Sequence, residues 1–81
     1  MNNDYFERLY NTVGDLLYRV RIYDRDLMNT DEIIAMDEAY EKIQVNKWMM
    51  GSPQWQDRAI EKLEHMNYRL VTIMEDLLYT A

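Results

Sequence analysis

The chain has 81 residues, nine of them basic and fifteen acidic, for a formal net charge of −6. It has no cysteine and a single histidine, which excludes disulfides and thiolate metal sites and disfavours a histidine-based one. A chain this short buries only about 60–65% of the surface that it exposes unfolded, so it needs a well-packed core or oligomerisation.

The acidic balance argues against direct nucleic-acid binding, which draws its affinity from neutralising phosphates with a basic face. It suits a soluble protein, or one that docks on a basic surface. The first residues, Met1-Asn2-Asn3-Asp4, lack the basic and apolar regions of a secretory signal. No run approaches the ~20 apolar residues of a membrane span. The expected location is therefore cytoplasmic, with no membrane contact.

A ladder at Phe6, Leu9, Val13, Leu16, Val20, Tyr23 and Leu27, spaced alternately three and four, predicts a first helix over residues 4–28. Gly14 lies inside it, either to allow a close helix crossing or because it is tolerated there; it costs about 1 kcal/mol relative to alanine. The back of this helix carries Tyr18, Arg21, Ile22 and Arg25. Tyr and Arg are common interface anchors, so this face is a candidate for a ligand or partner. The competing reading is a solvated face with cations near a helix C-terminus.

Asn29-Thr30 marks a break, with Thr30 as a cap and Asp31 and Glu32 in the first turn of a second helix over residues 31–49. Its core face is Ile33, Met36, Tyr40 and Ile43. Its far side is not simply polar, since Ile34, Val45, Trp48 and Met49 stand among acids. Apolar residues on both sides predict a partner or oligomer interface. Alternatively, Trp48 and Met49 fold over the helix end near Gly51. Asp31, Glu32, Asp37, Glu38 and Glu41 form an acidic face without a base, read either as a solvated helix start or as a face for a basic groove.

Gly51-Ser52-Pro53 is the strongest break. Gly51 suits a left-handed position after a helix, Ser52 an N-cap and Pro53 a first helical turn. The third helix is predicted over residues 53–79, with a seam at Leu63, Met66, Leu70, Ile73 and Leu77. Most of the seven tyrosines and seven methionines fall on core positions of these helices. His65 reads as a surface or boundary residue, because the residue three before it is Lys62 and the Glu-x-x-His pattern of metal-binding bundles fails.

One acidic constellation carries possible chemistry. Asp37-Glu38-Ala39-Tyr40-Glu41 is followed by Glu61-Lys62-Leu63-Glu64, and acids three apart share a helix face. The two segments resemble the acidic signature of the all-α nucleoside triphosphate pyrophosphohydrolases of the MazG kind, with Asp37 where that signature has Glu and Glu64 where it has Asp. The resemblance covers only those segments. It implies Mg²⁺ held by carboxylate oxygens and pyrophosphate release from a nucleoside triphosphate, lost in Glu41→Gln.

The predicted fold is all-α: one domain over residues 1–81, a three-helix antiparallel bundle with long first and third helices, completed by self-association, a dimer above all. With no motif that specifies a reaction and no cofactor expected, the predicted function is non-catalytic. It is a small interaction protein (adaptor, regulator or inhibitor) that binds another macromolecule. By analogy alone, compact acidic proteins of this kind are often inhibitors encoded by phages or mobile elements. The alternative is an oligomeric binder of a small anionic ligand such as a nucleotide, with Tyr18 stacking on a base and Arg21 and Arg25 pairing with phosphate.

Overall fold

A computed structural model describes residues 3–24 and 27–80. They form three α-helices, α1 (Asn3–Tyr23), α2 (Thr30–Val45) and α3 (Pro53–Thr80), with a short 3₁₀ helix, Lys47–Gly51, before α3. No strand occurs among the described residues.

α1 and α3 pack along one another far more closely than α2 packs on either. Their directions follow from paired side chains. Gln56 Nε2 donates to Asn3 Oδ1 at 2.7 Å, and the Phe6 and Trp55 rings lie 5.7 Å apart. The N-terminal ends of α1 and α3 are thus neighbours and the two helices run parallel. α2 returns between them: Lys47 meets Glu7 near one end, and Glu32 meets Arg69 towards the other. At ~1.5 Å per residue α3 spans about 42 Å, which matches the 42 Å long axis of the molecule.

The core is the seam that the periodicity predicts, with local shifts. Phe6, Val13, Val20, Leu63 and Leu70 are fully buried, and Ile33, Met36, Ile43, Met66 and Ile73 join them. Leu17, rather than Leu16, closes the middle of α1; Leu16 is half-buried. A strict seven-residue ladder drifts around a helix of 3.6 residues per turn, which moves the buried position by one. Tyr10 is buried as well, stacked on Tyr40 at 4.7 Å. Tyr18, Tyr23, Tyr68 and Tyr79 are exposed, so packing accounts for fewer of the tyrosines than their helical positions predict.

Three boundaries differ from the sequence expectation. α1 ends at Tyr23, not at residue 28, so Tyr23 and Leu27 leave the core seam and are exposed. Asp24 takes over there. It is buried, and its carboxylate accepts from the Asn29 backbone N–H at 3.1 Å and from the Asn29 side-chain amide at 3.3 Å. Aspartate offers the chain this alternative to another helical turn. Leu27 then adopts a left-handed φ of 55°, and its carbonyl accepts from the Thr30 hydroxyl at 2.9 Å. Asn29, not Thr30, holds the capping position, since its carbonyl accepts from the Ile33 N–H.

α2 stops at Val45, not at residue 49, where the Asn46 side chain turns back to donate to the Lys42 carbonyl at 2.8 Å. The chain tightens into the 3₁₀ helix before the break. Gly51 does not take a left-handed φ, contrary to the cap expected there. Ser52 does cap α3, its Oγ accepting from the Trp55 N–H at 3.4 Å, with Pro53 in the first turn.

Gly14 has a specific role. The Tyr40 hydroxyl donates to the Tyr10 carbonyl at 2.9 Å, and a Cβ on Gly14 would lie 2.6 Å from that hydroxyl. The missing side chain admits a tyrosine from α2. Burial, reinforced by the bond to Tyr10, raises the Tyr40 phenol well above its ordinary value.

Candidate interaction surface

Of the residues singled out along the second helix, Ile34 and Val45 of α2 point outward, and so does Trp48 on the 3₁₀ helix. Ile34 is 50% exposed, Val45 63% and Trp48 79%, whereas Met49 is half-buried. Trp48 therefore does not fold over the helix end. On α1, Tyr18 and Ile22 are exposed, one turn apart. Arg21, between them in sequence, forms an ion pair with Asp37 of α2. Arg25, the other cation of the anionic-ligand reading, lies outside the described residues.

The acidic run does not form one face. Glu32 reaches α3, where the Arg69 Nε and Nη2 donate to its two oxygens at 2.7 and 2.8 Å. The bonds from Arg69 hold the Glu32 carboxyl below the ordinary glutamate value. Asp37 reaches α1 and Arg21. Two of the five acids thus clasp α2 to its neighbours, while Asp31, Glu38 and Glu41 are exposed.

The two segments of the pyrophosphohydrolase resemblance come apart in the same way. Asp37 is paired with Arg21, and Glu64 accepts from the Tyr5 hydroxyl at 2.7 Å on the side facing α1. That bond raises the Tyr5 phenol above its ordinary value. Glu38 and Glu61 border different parts of the space between α2 and α3. Among the described residues no three His, Cys, Asp or Glu side chains gather as a metal site.

What single-helix reasoning missed is that space itself, an open groove between α2 and α3. It comprises two adjoining cavities of about 550 and 790 Å³ that share Ala35, Ala39, Arg58 and Lys62. Small side chains, Ala35 and Ala39 of α2 and Ala59 of α3, line it where larger ones would have closed it. Its charged lining is mixed: Lys42, Arg58 and Lys62 stand beside Glu32, Glu38 and Glu61. None of these three cations is in an ion pair among the described residues. His65 is exposed on the α3 wall. A signal was present in the sequence, Ala35 and Ala39 one turn apart opposite Ala59, but only the packing of two helices turns it into a groove.

Compared with known proteins, the chain matches no family model, no curated protein and no solved structure. No helix among the described residues is long and apolar enough to cross a membrane.

Proposed function

We propose that this chain is a small, non-catalytic helical interaction protein, an adaptor, regulator or inhibitor, that acts by binding another protein. The observation that carries this reading is Trp48, 79% exposed on the 3₁₀ turn and three residues from Val45. Burying a large apolar side chain is worth about 1.5–3 kcal/mol. An isolated chain that leaves a tryptophan in water forgoes that gain, and tryptophan is the residue type most enriched among interface hot spots. The polar neighbours of Trp48, Asn46 and Lys47, are turned inward to structural roles: Asn46 caps α2, and Lys47 pairs with Glu7 at 3.1 Å and lies over the Tyr10 ring at 4.6 Å. The turn is thereby held in place and the indole is presented on a fixed base, which lowers the entropic cost of binding.

Quantitative affinity capture from the native host lysate tests this, comparing the wild-type chain with Trp48→Ala and with the exposed control Gln54→Ala. The expected result is a protein enriched by the wild type and by Gln54→Ala but lost, at least tenfold, with Trp48→Ala. Equal enrichment by all three chains would remove Trp48 as the anchor, and no enriched protein would remove the reading.

A further inference from the structure

We infer that the outer face of α2 is the surface by which the partner holds this chain, and that the partner is a protein with a basic groove that takes α2 lengthwise. The inference rests on the interaction reading above and names the chemistry of the partner.

The negative charge of this chain is concentrated in α2. In a chain of net charge −6, its sixteen residues hold five carboxylates and one lysine. Two of the five are engaged within the fold, Glu32 with Arg69 and Asp37 with Arg21. The remaining three, Asp31, Glu38 and Glu41, are exposed and in no ion pair among the described residues. Ile34 and Val45, both exposed, lie on the same side. At 100° per residue all five fall within an arc of about 80°, opposite Ile33, Met36 and Ile43 of the core. Lys42 borders that arc on the α3 side, where it lines the groove.

This pattern selects the occupant. Ile34 and Val45 are eleven residues apart, about 16 Å at ~1.5 Å per residue, and Glu38 and Glu41 stand between them. A flat apolar surface would bury those carboxylates without partners, at a cost that exceeds what two apolar side chains gain. The complement is a groove with apolar pockets towards its two ends and Lys or Arg between them. Proteins take a helix of another protein in this way, through anchors that recur along one helical face. Trp48, three residues beyond Val45 on the 3₁₀ helix, extends the apolar contact at one end.

Other occupants fit less well. A nucleic acid or an anionic membrane surface is repelled by the same carboxylates. A second copy does not supply the complement: its α2 repeats the three acids, and its groove sets Lys42, Arg58 and Lys62 beside Glu32, Glu38 and Glu61.

Photo-crosslinking in the native host lysate, followed by binding measurements on the captured protein, tests the assignment. A benzophenone amino acid is placed at Val45, or at Gln54 as the exposed control, and mass spectrometry identifies the crosslinked segment. The captured protein is then purified and titrated calorimetrically with variants of the chain at several salt concentrations, their helicity checked by circular dichroism. The Val45 probe, and not the Gln54 probe, is expected to mark a segment in which Lys or Arg alternate with apolar residues. Glu38→Gln with Glu41→Gln should weaken binding by about tenfold or more and flatten its salt dependence. Ile34→Asp should weaken it to a similar degree. A crosslink to a second copy, a crosslink to an acidic segment, or an affinity indifferent to the glutamine pair would each overturn the assignment. Should Trp48→Ala abolish binding while the α2 variants bind as the wild type does, the interaction reading stands and the assignment of α2 falls. Should the lysate yield no captured protein, both fall.

Discussion

Gly14 gives the sharpest test of how α2 is held. In an ordinary helix interior, Gly→Ala stabilises by about 1 kcal/mol. Here the new Cβ would lie 2.6 Å from the Tyr40 hydroxyl and 3.2 Å from its ring carbon Cζ. That hydroxyl is not a free end that can swing aside. It donates to the Tyr10 carbonyl at 2.9 Å, and its ring stacks on Tyr10. Overpacking of this kind costs about 1–3 kcal/mol, and breaking the hydrogen bond about 1 more. Set against the helix gain, Gly14→Ala should destabilise the protein by about 2 kcal/mol, or about 8–16 °C in Tm for a domain of this size.

Tyr40→Phe separates steric conflict from simple loss of a bond. Alone it should cost about 1 kcal/mol, because the Tyr10 carbonyl keeps its helical partner N–H one turn on. In that background the nearest contact with a Gly14 methyl becomes the ring carbon at 3.2 Å, which asks for a shift of only a few tenths of an ångström. Gly14→Ala should then turn neutral or stabilising. The assay is thermal and urea unfolding followed by circular dichroism, at one fixed protein concentration because association would raise Tm. A rise in Tm from Gly14→Ala in the wild-type background would refute the reasoning.

Two further predictions concern the N-terminal end of α2 and the turn before it. The folded-state pKa of Glu32 is depressed below the ordinary 4.5 by Arg69; its contribution to stability is therefore present above that value and lost as pH falls through the folded pKa. The Tm difference between wild type and Glu32→Gln should shrink as pH is lowered below about 4.5, modestly because the pair is partly exposed; a pH-independent difference would contradict this. Leu27, 71% exposed at φ 55°, should be replaceable by glycine with a gain of up to about 1 kcal/mol in urea unfolding, since an L-residue pays about 1–2 kcal/mol there and glycine loses about 0.5–1 in chain entropy. A loss would mean that the leucine side chain packs in a way its exposure does not suggest.

The parts of this fold that were legible in the sequence are those set within one helix or one turn. The Ser52-Pro53 start of α3 and the buried ladder from Phe6 to Val20 follow from local chemistry and period. So does the outward placement of Ile34 and Val45, because position on a single helix decides it; Trp48 points outward from the 3₁₀ helix that replaces the expected end of α2. What was not legible depends on competition or on a neighbour. The ladder predicted that α1 continues to residue 28, but Asp24 offered its carboxylate to Asn29, and that local bond ended the helix. The acidic run read as one face, yet Glu32 and Asp37, five residues apart, stand ~140° apart around the helix. That angle lets one reach α3 and the other α1. The cations of the groove come from two helices distant in sequence, and no reading of either helix alone brings them together.

These arrangements bear on how firmly α2 is held. Exposed or half-exposed ion pairs contribute about 0–1 kcal/mol each, so the clasps of α2 to Arg21 and Arg69 orient it more than they stabilise it. Its firm attachment comes from Ile33, Met36 and Ile43 in the core and from Tyr40 seated against Gly14. α1 and α3, by contrast, share the fully buried residues Phe6, Val13, Val20, Leu63 and Leu70. Local opening free energies follow such differences in burial, so α2 should exchange its amide hydrogens faster than the centres of α1 and α3.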